Sequence, residues 1–278
     1  LFSFLQYLFA GGSGSQKRLQ PLIFTHDEPN LVWQFMYQKQ ENSPELATLQ
    51  TRYGLDSVYQ SGNNELEKML YLLAWTQSKF EHHGSNSPSS SSTLTTLKEA
   101  EEGSKFRCVE FGIVLKSTFA ANGHYARVLN LKTKDVEERK MGAGHVLIEA
   151  WSEALNKWIL FDPQFNVMPM LGELPLNAVE FQKALQQGEY VRLVDLHGDV
   201  SKKRHKQYMQ FIGDYLFYFD TRFDQRELNA RELLANDGNF SMMLVSEGEK
   251  EPVTFQRIHA LNKVAYTHSL NDFYRRPE

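Results

Sequence analysis

The sequence predicts an α+β protein. Helical spacing of apolar residues dominates the chain before Asn122, and short strand-like runs dominate after it. A third observation concerns chemistry. The only cysteine, Cys108, is followed by His145 and then Asp162. Cys, His and Asp in that order are the parts of an activated thiol: the thiolate attacks, the imidazole takes its proton, and the carboxylate orients the imidazole.

Composition bounds the rest. The 278 residues are 41% hydrophobic and 23% charged, ordinary for a globular chain, and 19 Phe with 12 Tyr supply a sizeable core. A net charge of −4 leaves no basic footprint, so nucleic acid is not an expected partner. One cysteine cannot form an internal disulfide, and its count says nothing about redox compartment. Residues 1–10 are apolar and aromatic, and Gly11-Gly12-Ser13-Gly14-Ser15 follows. Residues 1–19 fit three readings: a signal-peptide remnant, a peptide fused through a Gly/Ser linker, or a native apolar segment packed on the domain. The first implies export; otherwise the expectation is cytoplasmic. The segment is too short to span a bilayer, which takes about 20 residues.

In chain order, Trp33, Phe35 and Tyr37 alternate as in a half-buried strand, though a short helix fits as well. Leu66, Met69, Leu70, Leu73 and Phe80 recur at helical steps after Asn63-Asn64, with Glu65 and Glu67 in the first turn, and this helix is expected to end near His82-His83-Gly84. The Ser-rich stretch from Ser85 to Thr93 reads as an exposed loop, and Leu94, Leu97 and Ala100 as a short helix closed by Gly103. From Val109 to Ala121, Phe111, Val114, Leu115, Thr118 and Phe119 share one helical face, with Asn122-Gly123 as a stop. Cys108 therefore falls at a helix N-terminus, where unpaired N–H groups stabilise a thiolate.

His124 to Leu131 reads as a strand. Gly144 to Glu153 and Trp158 to Phe165 read as two more, joined by a short turn. An even-numbered turn puts His145 and Asp162 on one face. A turn centred on Glu153-Ala154 sets them directly opposite, and one centred on Leu155-Asn156 offsets them by four residues. Asn177 with Glu180 resembles a capping box opening a helix that Gly188 closes. Tyr190–Leu196, Tyr215–Phe219 and Met242–Val245 are strand-like, the last expected to pair with Val253–Arg257; Ser201 to Lys206 is a basic, solvated run. Arg127, charged within an apolar strand, is expected in a buried ion pair with Glu110 or Glu149. No repeat, Gly-rich phosphate loop or zinc spacing occurs, so no cofactor or metal is expected, and the adjacent His82 and His83 are not expected to form a metal site. His124 is expected at the surface.

Arg107-Cys108-Val109-Glu110-Phe111-Gly112, then Gly123-x-x-Ala126-Arg127-Val128, Gly144-His145-Val146-x-x-Glu149 and Trp158-x-x-x-Asp162-Pro163 resemble the transglutaminase-like superfamily, most closely its bacterial transglutaminase-like domain proteins. The resemblance covers roughly residues 64–170. It implies a papain-like α+β core with the nucleophile on a helix N-terminus packed against an antiparallel sheet. It assigns Cys108 as nucleophile, His145 as general base and acid, and Asp162 as orienting carboxylate. The chain departs from the Gly-Gln-Cys-Trp type motif of animal transglutaminases, since Arg107 precedes Cys108 and Val109 follows it, so protein crosslinking is not implied.

The expected organisation is a catalytic domain over residues 20–200 and a β-rich extension over 201–278 packed on it. The expected activity is thiol-dependent acyl transfer at an amide bond, with hydrolysis favoured because nothing marks an acceptor-amine site. Transfer to an amine, or a silent binding protein that keeps the fold, are the alternatives. Substrates of such a site are proteins, peptides or glycopeptides. Arg107, Gln164 and Trp75 are cleft candidates: Arg107 and Gln164 lie beside Cys108 and Asp162 in sequence. Trp75 lies where the family has an upstream Trp that assists the oxyanion, although its helical setting favours a core role. The backbone N–H of Cys108 and the residue before it are the better oxyanion candidates.

Overall fold

The computed structural model describes residues 19–227 and 240–278, so residues 1–15 and their competing readings lie outside the described residues. Helices and mixed sheets make an α+β protein. The helices leading to the site are α1 (Pro44–Tyr53), α2 (Leu55–Gln60), α3 (Glu65–Gln77), α4 (Thr93–Glu101) and α5 (Cys108–Ala121). Asn64 caps α3, its side chain accepting from Glu67 N at 3.0 Å. That helix stops at Gln77, earlier than its apolar spacing predicts. The chain then turns extended, and His82 forms a parallel bridge with Phe106.

Among the described residues six strands form one sheet, in the order β12 (Val264–Thr267), β9 (Ser241–Leu244), β8 (Tyr218–Arg222), β1 (Ala126–Lys132), β2 (Gly144–Ser152), β3 (Lys157–Phe161). Only β12 and β9 run parallel; the other neighbours are antiparallel. Three strands of residues 201–278, β8, β9 and β12, thus continue the sheet begun by β1–β3. A second sheet joins β4 (Met168–Leu171), β5 (Leu174–Pro175), β6 (Arg192–Asp195) and β7 (Gly198–Asp199), and β10 (Thr254–Phe255) pairs with β11 (His259–Ala260). Met242–Leu244 therefore pairs with β8 and β12, and not with the segment after Val253 as expected, because that segment closes its own local hairpin.

Period-two alternation sorts the large sheet into two packed faces. Ile148, Ala150, Ile159 and Phe161 meet α3 and α5 through Met69, Leu73, Leu115 and Phe119. Leu129, Leu131, Leu147, Leu160 and Phe219 meet α6 (Ala178–Gln187) and α7 (Lys202–Ile212) through Phe181, Tyr208, Met209 and Ile212. The predicted capping box opens α6: Asn177 Oδ1 accepts from Glu180 N at 2.8 Å, and Glu180 Oε2 accepts from Asn177 N at 2.9 Å. The basic run Ser201 to Lys206 is solvated for the most part, yet it forms the first turns of α7. The stretch Leu31–Tyr37 is neither strand nor helix. Its aromatic rings pack on Phe223 and Trp158, and Met36 makes one bridge with Asp224.

Arg127 does find Glu149. The two face each other across β1 and β2, with Nη2 2.6 Å and Nε 3.1 Å from Oε2, and both are buried. The guanidinium also donates to Phe273 O at 2.6 Å and lies against the rings of Trp158, Phe273 and Tyr274. Glu149 Oε1 accepts from Ala178 N at 2.9 Å and Tyr274 Oη at 3.0 Å. Arg127→Leu leaves that carboxylate buried beside two neutral donors. Unfolding in urea should show a loss of about 3–5 kcal/mol, the range for breaking a buried pair, and adding Glu149→Leu should recover part of it.

Candidate active site

Phe106 sets the entry to the site. It is fully buried against Phe80, at 5.3 Å between ring centroids, and its main chain is held on both sides by residues 81 and 83. The chain then enters α5 at Cys108. Arg107, the residue before the helix, has no acceptor in its side chain and cannot cap it. Instead Glu110 reaches back: its carboxylate accepts from Arg107 N at 3.1 Å and from the Arg107 guanidinium at 2.6 Å. The first-turn N–H groups beside Cys108 are thus left without a side-chain acceptor, which favours negative charge there.

Gly112, one turn on, brings the helix close to β2. A Cβ at that position would lie 3.1 Å from Val146 Cγ1, tighter than most real contacts. The close approach sets this turn of α5 against Val146 and the Leu147 carbonyl of β2.

His145 is the second residue of β2, opposite Leu131 on β1. The β2–β3 turn has four residues, Glu153–Asn156, with Ser152 paired to Lys157. Its centre at Ala154-Leu155 lies between the two predicted ones, and Asn156 takes the left-handed conformation (φ 50°) that the turn requires. The even length puts His145 and Asp162 on one face, as expected. The register is offset by two, with His145 extrapolating to position 164. The chain closes this gap by leaving the strand at Phe161 and bridging Asp162 to Val167.

His145 Nε2 and Asp162 Oδ2 are 2.7 Å apart, with both side chains buried. Asp162 Oδ1 accepts from the amides of Gln164 at 3.1 Å and Phe165 at 3.3 Å, which fixes the carboxylate. With Nε2 engaged, Nδ1 is the imidazole nitrogen left for the thiol, and His145 lies close enough to Cys108 for each to shift the other's titration. Burial pushes the Cys108 thiol up, but the hydrogen bond and charge of His145 and the Val146 amide outweigh it and hold the thiol below its ordinary value. Burial disfavours the His145 cation, yet Asp162 and then Cys108 raise its pKa above the usual imidazole range.

The structure thus brings Cys108, His145 and Asp162 together. Arg107 is partly exposed and paired with Glu110. Gln164 meets Asp162 through its main chain, with its side chain half-buried. Trp75 is half-buried and packs edge-on against Tyr53 at 5.7 Å beneath Lys79, on the apolar cluster that holds Phe80, Phe106 and Phe111. His124 is half-buried, bonded to Tyr59 Oη at 2.8 Å, and so departs from the expected surface position.

Sequence reading missed several neighbours. Phe211 lies edge-on to His145 at 5.0 Å, Tyr215 at 5.9 Å and Phe165 at 6.0 Å, so aromatic rings wall the imidazole. His82 is near enough that, after partial burial, the charge of His145 helps hold its pKa down. The helical spacing of Tyr208, Met209 and Ile212 was the available signal for α7, hidden by its basic start.

No family model matches this chain, and no curated protein matches it significantly. Among solved structures it is similar to a protein of Cytophaga hutchinsonii provisionally named a cysteine protease, with 18% identity and a TM-score of 0.36. The similarity covers 47% of this chain and 40% of that one. The site therefore rests on its own geometry. Among the described residues no helix is long and apolar enough to cross a membrane.

The geometry sets a pH dependence. The thiol is lowered and the imidazole raised, so the ion pair is populated between the two pKa values and lost as pH falls through the thiol's. Alkylation of Cys108 by iodoacetamide should persist well below the free-thiol pKa of about 8.5. His145→Ala removes the cation and leaves burial to push the thiol up. The rate at pH 6.5 should then fall by about tenfold or more, one pKa unit being a factor of ten.

Proposed function

We propose that this chain is a thiol-dependent acyl-transfer enzyme acting on an amide bond, in a transglutaminase-like, papain-like core formed by α5 and the β1–β3 strands. The observation that carries the reading is one array: half-buried Cys108 at a helix N-terminus, His145 near enough to lower its pKa, and His145 Nε2 2.7 Å from Asp162. In this reading the Cys108 thiolate forms a bond to the carbonyl carbon, and the oxyanion draws on the free first-turn N–H groups of α5. The C–N bond breaks as the His145 imidazolium gives its proton to the leaving nitrogen, leaving a thioester on Cys108. Neutral His145 then takes a proton from water, the hydroxide oxygen joins the acyl carbon, and the sulfur leaves as thiolate. Asp162 stays ionised throughout and fixes the imidazole through Nε2. Hydrolysis is favoured over amine transfer because no residue marks an acceptor-amine site.

A library of peptidyl amides with a fluorogenic amine leaving group tests this, with quenched reactions examined by mass spectrometry. Cleavage should occur, an acyl group should be found on Cys108, and Cys108→Ala should abolish both. Asp162→Asn should lower kcat/KM by about 10²–10⁴, the usual worth of a positioned acid–base group. Turnover that survives Cys108→Ala would overturn the proposal. A thiol that is activated but never acylated by any member of the library would favour the silent binding protein.

A further inference from the structure

We infer that Tyr208, on α7, is a positioning residue that donates its hydroxyl hydrogen to the Asp162 carboxylate and adds a fourth side chain to the Cys108–His145–Asp162 array. This rests on the thiol reading above. Tyr208 is 2% exposed, and its hydroxyl has no hydrogen-bond partner at full geometry among the described residues. A buried hydroxyl without an acceptor is costly and calls for an explanation. The nearest acceptor by packing is Asp162: the Tyr208 ring lies on Phe165, whose own amide donates to Asp162 Oδ1. Burial, and then the charge and hydrogen bonding of this carboxylate, keep the phenol protonated far above its ordinary range, so it is a neutral donor wherever the thiol works.

Two contacts hold α7 to the Asp162 loop. The Tyr208 ring packs on Phe165 at 5.2 Å, and Phe165 supplies one of the two amides on Asp162 Oδ1. One turn earlier, Arg204 donates to the carbonyls of Phe165 at 3.1 Å and Asn166 at 3.4 Å, its charge being paired with Asp195 at 2.6 Å. The other titratable groups around this point are His145 on β2, Cys108 on α5 and His82 on the segment bridged to Phe106, while the Tyr215 ring lies 5.9 Å from the imidazole. None of these offers the phenol an acceptor as strong as the carboxylate.

The sign follows directly. A hydroxyl bonded to Asp162 stabilises its charge, that charge holds the imidazolium, and the imidazolium holds the thiolate. Tyr208→Phe keeps the ring and its packing but removes the donor. In iodoacetamide titrations of the full chain, the low-pH limb should move up by about half to one pH unit, a loss of about three- to tenfold in rate on that limb. The plateau at high pH should be unchanged, and the variant should be no more stable than the intact chain. An unmoved limb, or a variant that is more stable with an unmoved limb, would show an orphan hydroxyl and overturn the inference. If the intact chain itself titrates like a free thiol, the thiol reading fails first and takes this one with it. Should Tyr208→Phe not fold, NMR of Cζ-labelled tyrosine offers a second route: Asp162→Asn should bring the Tyr208 titration down towards its ordinary range, and no change would overturn the inference.

Discussion

Much of this fold hangs on one ion pair, Arg127 with Glu149. A charge on each of two neighbouring strands is expensive to bury, and here every charged atom is answered: by the partner, by a carbonyl, by an amide, by a hydroxyl and by three aromatic rings. Such a pair discriminates between arrangements more than it adds stability. A slip of one residue between β1 and β2 would put the two charges on opposite faces of the sheet and leave both unanswered. The same register sets His145 opposite Leu131, so the position of the imidazole depends on a contact four residues along the strand. The pair also ties the sheet to the start of α6 and to the C-terminal residues Phe273 and Tyr274, which lie far apart in sequence.

Local features were legible in the sequence. The start of α5, the capping box of α6 and the common face of His145 and Asp162 all follow from short-range rules of capping and parity. The exact offset of the β2–β3 pair was not, because it depends on Asn156 accepting a left-handed backbone, which many residue patterns permit. The alternation of Trp33, Phe35 and Tyr37 was real but misleading. It arises from rings packing on Phe223 and Trp158, without a partner strand to hold the backbone extended. Trp75 was read two ways, its position upstream of the cysteine suggesting a cleft role and its helical setting the core; it lies half-buried on the cluster of Phe80 and Phe106.

The candidate site was half legible. Three residue types in order signalled its chemistry, and the helix N-terminus signalled how a thiol there would ionise. The wall of Phe165, Phe211 and Tyr215 was not legible, because Phe211 and Tyr215 come to His145 from more than sixty positions away and no local pattern encodes such a meeting. These rings matter physically. They replace water around the imidazole with weakly polarisable matter, so the charges of Asp162 and Cys108 act on it at greater strength than they would in solvent.

The groups around Cys108 come from three separate stretches of chain: residues 81–112, 144–167 and 204–215. The last of these precedes β8, which is seated against β1 in the middle of the sheet. Cys108, His145 and Asp162 all precede residue 200, while Phe211 and Tyr215, part of the wall around His145, follow it. The surroundings of His145 are therefore assembled only when the segment through residue 215 has folded against β2, and an unfolded chain lacks them.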